Sequence, residues 1–420
     1  MLGAAPLLRC RCHRRETSDM KSVKNQIPLA LTVAVTAILP AVGVSVANEP
    51  TATSTASSGW DGITREQVRI DLGAGWVTKA ELTYPSAAQG RLPLVVFLHG
   101  SGRNDMNQTL PGGNGSTFVP LAQAAGRAGY ATLRFNKRAV NDIGPVLTTD
   151  PAQLEPKRPY HRTQQDAAAV IRFVARSPRV NPSRIFLLGH SEGTNVAANL
   201  AAAPKSFGIP KPAGVIAMAV IGKPVKQLMT FQVYGGLLLQ LHDEFDLDGD
   251  GRLTATEATD GLVGQPQQVT GLFRSVLLDG TKLKADTDKN RDGHIEIDIE
   301  AGPVLRDLTG IDAYPNIPGL SSFLVSYIKD LARFPDAGKA LPRFSGPTLL
   351  LNGENDLETP ARAALAADAA VAAAGNKDHT VVIYPGLAHT LNASPKFADE
   401  LGEPDQRVVA DVQKWLEAHH

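Results

Sequence analysis

The chain has 420 residues, of which 43% are hydrophobic and 20% charged, so it is long enough for one large domain or for two or three ordinary ones. Its 42 Lys and Arg balance its 42 Asp and Glu, and a formal net charge of +0 argues against a nucleic-acid-binding protein. Both cysteines, Cys10 and Cys12, lie near the start, which excludes an internal disulfide or a cysteine metal site in the remainder of the chain.

The first segment has the pattern of a secretory signal. Two lysines precede the apolar stretch IPLALTVAVTAILPAVGVSV, and the small residues Ser45 and Ala47 fit a cleavage site after Ala47. The pattern predicts an N-terminal extension and signal peptide at 1–47 and a linker at 48–65. Because the apolar stretch is long enough to span a bilayer, a retained membrane anchor is the alternative. We expect a secreted or periplasmic protein without a stable anchor after cleavage.

Beyond the linker, apolar strand patterns alternate with amphipathic helix patterns. This alternation predicts an α/β fold with a mostly parallel sheet and helices on both faces. Buried strands are expected at 92–100, 130–135, 184–190, 214–220, 347–353 and 380–386. The core is assigned to residues 66–220 and 341–420, and residues 221–340, which do not alternate, are predicted to form a helical cap inserted between two strands.

The stretch GHSEG, residues 189–193, lies between a predicted buried strand and a predicted helix. A serine on a sharp turn of this kind presents its hydroxyl above the sheet, and the flanking glycines leave it uncovered. The context predicts that Ser191 is a nucleophile. An ordinary strand-to-helix loop is the alternative.

A nucleophilic serine needs a base that is itself oriented by a third group. In this type of fold the order along the chain is Ser, acid, His. Asp356 follows one late strand and His389 follows the last, so they are the predicted acid and base. Glu354 and Glu358 are rival acids, which we expect to be solvated neighbours. His190 is expected to pack or hydrogen-bond beside the serine.

An oxyanion hole is predicted where the loop HGSG meets the serine turn. Backbone N–H groups aimed at the developing oxyanion are the usual donors in acyl transfer. We assign Ser101 and Glu192 as these donors, with Gly100 contributing to the hole as the residue that shapes the loop. A tight glycine turn is the alternative explanation of HGSG.

These motifs resemble the α/β-hydrolase superfamily, and within it the prolyl-oligopeptidase-like, FrsA-like and dienelactone-hydrolase-like esterases. The matching stretches are LHGSGRND, GYATLRFNKR, IFLLGHSEG, LLLNGENDLETP and YPGLAHTL. The resemblance implies Ser191 as nucleophile, Asp356 as acid and His389 as base. Thr194 departs from it, because many relatives have a glycine at that position.

The predicted cap contains DLDGDGRLTATE, which has the spacing of a twelve-residue calcium loop. Calcium takes six to eight oxygen ligands, and a glycine at position 6 permits the sharp turn. The surrounding residues 242–300 carry fourteen Asp and Glu against six Lys and Arg, which favours cation binding over a solvated acidic turn. The predicted ligands are Asp246, Asp248, Asp250, the Arg252 carbonyl, Thr254 and Glu257.

A second loop, DKNRDGHIEIDIE, fits less well. Its predicted ligands are Asp288, Asn290, Asp292, the His294 carbonyl and Glu296. Position 12 is Ile299, which cannot bind calcium, and Glu300 stands one residue late. The loop is therefore either stretched by one residue or binds weakly or not at all. Apolar residues at position 8, Leu253 and Ile295, predict that the two loops pair as in an EF-hand pair, which the insertion resembles.

Together these features predict a serine hydrolase that cleaves carboxylic esters of a small-molecule acyl substrate, with structural Ca²⁺ in the cap. A serine peptidase or aminopeptidase of the same fold is one alternative. A catalytically inactive, calcium-dependent binding protein is the other.

Overall fold

A computed structural model describes residues 60–140, apart from residues 74, 114 and 139, and residues 158–420. The predicted signal peptide, its cleavage site after Ala47 and most of the linker lie outside the described residues. Within the described ranges, every helix is too short or too polar to span a membrane.

Eight of the twelve strands in the described residues form a central sheet, and four two-residue strands of the insertion pair outside it. The strands in chain order are β1 (Ile63–Gly73), β2 (Trp76–Pro85), β3 (Leu92–Leu98), β4 (Ala131–Phe135), β5 (Val180–His190), β6 (Gly214–Met218), β7 (Arg252–Leu253), β8 (Leu278–Asp279), β9 (Lys282–Leu283), β10 (Ile295–Glu296), β11 (Thr348–Gly353) and β12 (His379–Tyr384). The sheet order is β1-β2-β4-β3-β5-β6-β11-β12. The pairs β1–β2 and β2–β4 are antiparallel, and all neighbouring pairs from β4 to β12 are parallel. The predicted α/β fold with a mostly parallel sheet is confirmed.

The helices flank this sheet or build the insertion. In chain order they are α1 (Val119–Arg127), α2 (Pro159–Val174), α3 (Glu192–Ala202), α4 (Pro204–Phe207), α5 (Val225–Thr230), α6 (Gly236–Gln240), α7 (Ala255–Asp260), α8 (Gln267–Leu277), α9 (Gly302–Thr309), α10 (Ser322–Leu331), α11 (Ala337–Ala340), α12 (Ala361–Ala373) and α13 (Gln406–Ala418). π-Helical turns follow α5 and α6 and precede α9, at Phe231–Gly235, Leu241–Phe245 and Ile297–Ala301.

The apolar strand sequences are explained by burial on both faces of the sheet. Successive strand residues point to opposite faces, and helices cover each face. Leu94 and Val96 of β3 join a core cluster with residues of α2, α3 and α12. Val95 and Phe97 join a second cluster with residues of α1 and α13. Continuous apolar runs, rather than alternating ones, are therefore what these strands require.

The insertion between β6 and β11 builds a helical lobe with a hydrophobic core of its own. This core contains Phe245, Leu253, Phe273 and Ile295, all fully buried. The C-terminal end of the insertion packs against the main core instead, to which α11 contributes Ala337 and Ala340. At the start of the core, β1 begins at Ile63, two residues before the predicted end of the linker.

The serine turn depends on close backbone packing. A Cβ atom added at Gly193 would lie 2.1 Å from the carbonyl oxygen of Leu98, and one added at Gly189 would lie 2.2 Å from that of Gly193. Backbone atoms cannot move aside as a flexible side chain can. Gly189 therefore allows the end of β5 to lie against the start of α3, and Gly193 allows the start of α3 to lie against the end of β3.

We expect Gly193→Ala to lower the free energy of unfolding by about 2 kcal/mol or more, because the added methyl group overlaps backbone. Gly271→Ala is the matched control, since Gly271 lies in α8 and no atom approaches its added Cβ within 4 Å. That control should be neutral or slightly stabilising, as alanine favours helix. Thermal unfolding of both variants is the measurement. Equal midpoints would show that the turn relaxes without cost.

Candidate active site

Ser191 occupies a strained turn between β5 and α3. Its φ of 53° lies in the left-handed region, which a non-glycine residue adopts only when the surroundings enforce it. The Ser191 N–H donates to the carbonyl of Met218 at 2.9 Å, and the Thr194 hydroxyl donates to the Ser191 carbonyl at 2.7 Å. Thr194 Oγ1 also accepts from the N–H of Ile221 at 3.1 Å, so this residue ties the turn to the chain after β6.

Asp356 and His389, 33 residues apart in the chain, are brought together by the loops that follow β11 and β12. His389 Nδ1 lies 3.0 and 3.1 Å from the two carboxylate oxygens of Asp356. The same carboxylate accepts the N–H of Glu358 at 2.9 Å, and the N–H and hydroxyl of Thr359 at 2.7 and 2.6 Å. Burial raises the pKa of Asp356, but the His389 charge and these donors outweigh burial and leave it below its usual value.

The second nitrogen of His389 has a carboxylate, and not the serine, as its partner. Within the part of the chain that is described, Ser191 Oγ makes no hydrogen bond with His389. His389 Nε2 instead lies 3.2 Å from Glu358 Oε2. Glu358 is only 5% exposed, so the expectation that it would be a solvated neighbour is wrong. Glu354, the other alternative to Asp356 as the acid, is exposed as expected.

His190 links the serine turn to the loop of His389. Its Nε2–H donates to the His389 carbonyl at 3.0 Å, and its Nδ1 accepts from Gln108 Nε2 at 2.8 Å. The two imidazole rings are 4.9 Å apart between centroids. Burial lowers the pKa of His190 to about 3, with a smaller contribution from the His389 charge, so this ring stays neutral. As predicted, His190 is hydrogen-bonded beside the serine.

Two of the three residues assigned to the oxyanion hole have a backbone N–H that can donate to an oxyanion. The N–H groups of Ser101 and Glu192 have no acceptor among the described residues. The Gly100 N–H is engaged, because it donates to Gln108 Oε1 at 2.8 Å, so Gly100 shapes the loop as predicted but is not itself a donor of the oxyanion hole. A Cβ at Gly100 would lie 3.1 Å from His190 Nδ1, which explains the glycine.

The side chain of Glu192 is a buried junction that sequence reasoning missed. Its carboxylate pairs with Lys137 Nζ at 3.1 Å and accepts hydrogen bonds from the Ser101 hydroxyl at 3.4 Å and from the Tyr327 hydroxyl. Lys137 Nζ also donates to the Gly100 carbonyl at 2.8 Å. Burial and the Glu192 charge raise the pKa of Tyr327, so its hydroxyl remains a donor. Helix α10 of the lobe is thereby tied to the loop and turn that carry the two free N–H groups.

The first predicted calcium loop is wrapped around its acidic residues. The carboxylate oxygens of Asp246, Asp248 and Asp250 lie within 4.8 Å of one another. Gly251 has the left-handed backbone required at position 6, with φ of 81°. At the end of the loop, Glu257 is the third residue of α7 and forms a capping box with the N-cap residue Thr254. The N–H groups that Glu257 accepts are those of Leu247, at position 2, and Thr254, at position 9.

The second loop reproduces this arrangement with Glu300 in the place of Glu257. Glu300 accepts the N–H of Lys289 at 2.9 Å, at position 2, and that of Glu296 at 3.1 Å, at position 9. The π-helical turn Ile297–Ala301 takes up the extra residue. Ile299, which occupies position 12 by count, is 69% exposed, whereas Glu300 is 4% exposed. Glu300 was not among the predicted ligands, but its place here agrees with the alternative of a loop stretched by one residue.

Only some of the other polar atoms of the second loop have hydrogen-bond partners among the described residues. Asp288 is 8% exposed, and its Oδ2 accepts the N–H of Gly293 at 3.2 Å. Its Oδ1 is buried and has no hydrogen-bond partner in the described part of the chain. The His294 N–H donates to Asp292 Oδ1 at 3.0 Å, and the other oxygen of Asp292 pairs with the guanidinium of Arg252 from the first loop.

The two loops pair through their position-8 residues. Leu253 of β7 lies opposite Ile295 of β10 in an antiparallel ladder, as the sequence predicted. Both side chains are fully buried in the core of the lobe. The geometry of one loop therefore constrains that of the other.

Comparisons with known proteins agree with this fold. Residues 95–400 match the profile of the Alpha/beta hydrolase family. Esterase EstD of Thermotoga maritima is 29% identical over 153 residues, which cover 36% of this chain and 32% of EstD. The chain thus spans about a third of the length of this curated relative.

Two of the solved structures found to be similar to this chain have TM-scores below 0.5. Est1E from Butyrivibrio proteoclasticus is 14% identical with a TM-score of 0.44, covering 84% of this chain and 98% of Est1E. The hyperthermophilic esterase from the archaeon Pyrobaculum calidifontis is 15% identical with a TM-score of 0.42, covering 95% of this chain and 93% of that one. Since the family profile covers well over half of the sequence, this chain belongs to the alpha/beta hydrolase family.

Proposed function

We propose that this protein is a secreted or periplasmic serine hydrolase that cleaves carboxylic esters of small acyl substrates. The observation that carries the proposal is the buried contact of 3.0 Å between His389 Nδ1 and Asp356, in a loop that His190 ties to the strained turn of Ser191. The alpha/beta hydrolase profile and the similarity to Esterase EstD support ester hydrolysis as the reaction. The signal-like pattern before residue 48 supports export.

In the first half of the proposed reaction, Ser191 Oγ attacks the acyl carbonyl carbon while His389 Nε2 takes the hydroxyl proton. The carbonyl electrons move onto oxygen, and the N–H groups of Ser101 and Glu192 donate to this oxyanion. Collapse of the tetrahedral intermediate breaks the bond to the leaving alcohol, which receives the proton from Nε2. An acyl-enzyme on Ser191 results.

In the second half, water attacks the acyl-enzyme and His389 takes its proton. The proton then returns to Ser191 Oγ as the carboxylic acid leaves. Asp356 holds the Nδ1–H tautomer throughout and stabilises the imidazolium in each half-reaction. His190 is not a base in this scheme, because its Nε2–H is fixed on the His389 carbonyl.

We also propose that the lobe binds Ca²⁺ at both loops and that the ions stabilise its fold. The donors are hard oxygen ligands, which calcium prefers. The buried, unpartnered Asp288 Oδ1 supports the second site, because an isolated carboxylate oxygen is costly to bury without a cation or donor. Glu300 completes that ligand set with Asp288, Asn290 and Asp292. No step of the ester chemistry uses the metal.

Ser191→Ala should abolish covalent labelling by a fluorophosphonate probe and lower p-nitrophenyl ester turnover by about 10⁴-fold or more. Ser183→Ala is the control, because Ser183 lies exposed on the same strand, β5, far from the turn. Matched p-nitroanilide substrates separate an esterase from the alternative peptidase. Labelling that persists in Ser191→Ala would refute the assignment of the nucleophile.

Removal of calcium by a chelator should lower the thermal midpoint of the protein by about 5 °C or more, since a ligand that binds only the folded state stabilises it. Differential scanning fluorimetry with and without chelator measures this, and readdition of Ca²⁺ should restore the midpoint. Ester turnover followed in the same samples reports on the active site. Unchanged melting and turnover would contradict the calcium proposal.

Glu300→Gln should remove one of two calcium ions seen by isothermal titration calorimetry, because it withdraws a charged ligand from the second loop. Ile299→Gln is the matched control, since it places the same side chain at position 12 by count and on the exposed side of the π-helical turn. Ile299→Gln should keep both ions. A Glu300→Gln protein that binds both ions with wild-type affinity would show that Glu300 is not a ligand.

A further inference from the structure

His389 has a carboxylate at each ring nitrogen. Asp356 lies 3.0 Å from Nδ1, as the proposed mechanism requires. Glu358 Oε2 lies 3.2 Å from Nε2, the atom that must accept the proton of Ser191. The mechanism assigns no role to this second carboxylate.

The contact at Nε2 is compatible with only some protonation states. A lone pair on a neutral Nε2 would face a lone pair of an ionised Glu358 at 3.2 Å, and the two would repel. A proton on Nε2 converts this repulsion into an ion pair between buried groups, which solvent screens little. With Glu358 ionised, the contact therefore favours the imidazolium form of His389, in which Nε2 has no lone pair to offer Ser191. A protonated Glu358 would instead donate its O–H to a neutral Nε2 and occupy the same lone pair.

The other ionisable groups around His389 act in the same direction or are neutral. Asp399, from the loop after β12, adds a third carboxylate, and its Oδ1 is buried without a partner in the described part of the chain. His190 contributes no charge in its neutral form. Burial alone would lower the pKa of His389, but Asp356 and then Glu358 outweigh it and raise the value to about 10.

We propose that Glu358 is a positioning residue that holds His389 protonated at Nε2 in the free enzyme, so that Ser191 is activated only when His389 loses that proton. The inference rests on the proposed function, since it assigns His389 as the base of Ser191. A protonated histidine cannot serve as a base, so activity rises with pH as His389 loses its proton. The acid limb of the pH–rate profile then lies above the ordinary histidine pKa of about 6.5.

The test compares wild type with Glu358→Gln, which keeps the size of the side chain and removes its charge. Glu354→Gln is the matched control, because Glu354 stands in the same loop and is exposed. Protein labelled with ¹³C-histidine is titrated by NMR, with the His389 signal assigned from a His389→Asn variant. The rate of fluorophosphonate labelling is followed over the same pH range.

We expect His389 to titrate well above pH 7 in wild type and in Glu354→Gln, and at lower pH in Glu358→Gln. Labelling of Glu358→Gln at pH 7 should be faster by about tenfold or more, because an opposite charge this close changes an acid dissociation constant by at least that factor. A merely structural role would leave the pH at which His389 titrates unchanged.

A wild-type His389 that titrates near pH 6.5, or one whose titration is the same in Glu358→Gln, would overturn the inference. A wild-type value near pH 6.5 overturns the inference even where Glu358→Gln fails to fold. Absence of labelling at every pH, in all variants, would instead refute the proposed function, and the NMR titration would still decide whether Glu358 holds the proton on His389.

Discussion

The buried contact between Asp356 and His389 is the constraint on which the rest of the site depends. An ionised carboxylate is costly to bury unless hydrogen bonds surround it, and here the turn from Asp356 to Thr359 supplies them. Asn352 holds that turn in place, because its Nδ2 donates to the Thr359 carbonyl at 2.8 Å and its Oδ1 accepts from Val220 at 2.7 Å. The ends of β11 and β6 are thus fixed together, and β6 in turn holds the serine turn through Met218.

The helical lobe is joined to this site by specific contacts. Tyr327 of α10 bonds to the Glu192 carboxylate, and Gln232 of a π-helical turn donates to the Glu358 carbonyl at 2.9 Å. One contact reaches Glu192, the residue after the proposed nucleophile, and the other reaches the loop of the proposed acid. If calcium stabilises the lobe as proposed, these contacts are routes by which it can affect turnover, because the metal loops themselves lie in a separate core.

The sequence predicted the features that repeat a local pattern. Buried parallel strands leave continuous apolar runs, and the serine turn leaves its glycines, so the fold and Ser191 could be placed before any coordinates. The positions of the Glu358 and Glu300 carboxylates could not be predicted, because each depends on the direction that a turn gives to the side chain. Counting positions made Ile299 the twelfth residue, yet one π-helical turn rotates it outward and brings Glu300 in. Lys137 and Tyr327 meet Glu192 from distant segments, which no local spacing encodes.

The two carboxylates beside His389 differ in a way that separates their roles. Both lie within 3.2 Å of the ring and both are buried, so distance alone would not distinguish them. Asp356 receives two backbone N–H groups and a hydroxyl besides the imidazole, and these donors hold it ionised. Glu358 receives no such donors from the described residues, and burial raises its pKa. A carboxylate without other donors draws its stabilisation from the imidazolium itself, so an ionised Glu358 favours the protonated ring, as we infer, whereas Asp356 can support both protonation states of His389 in the proposed reaction.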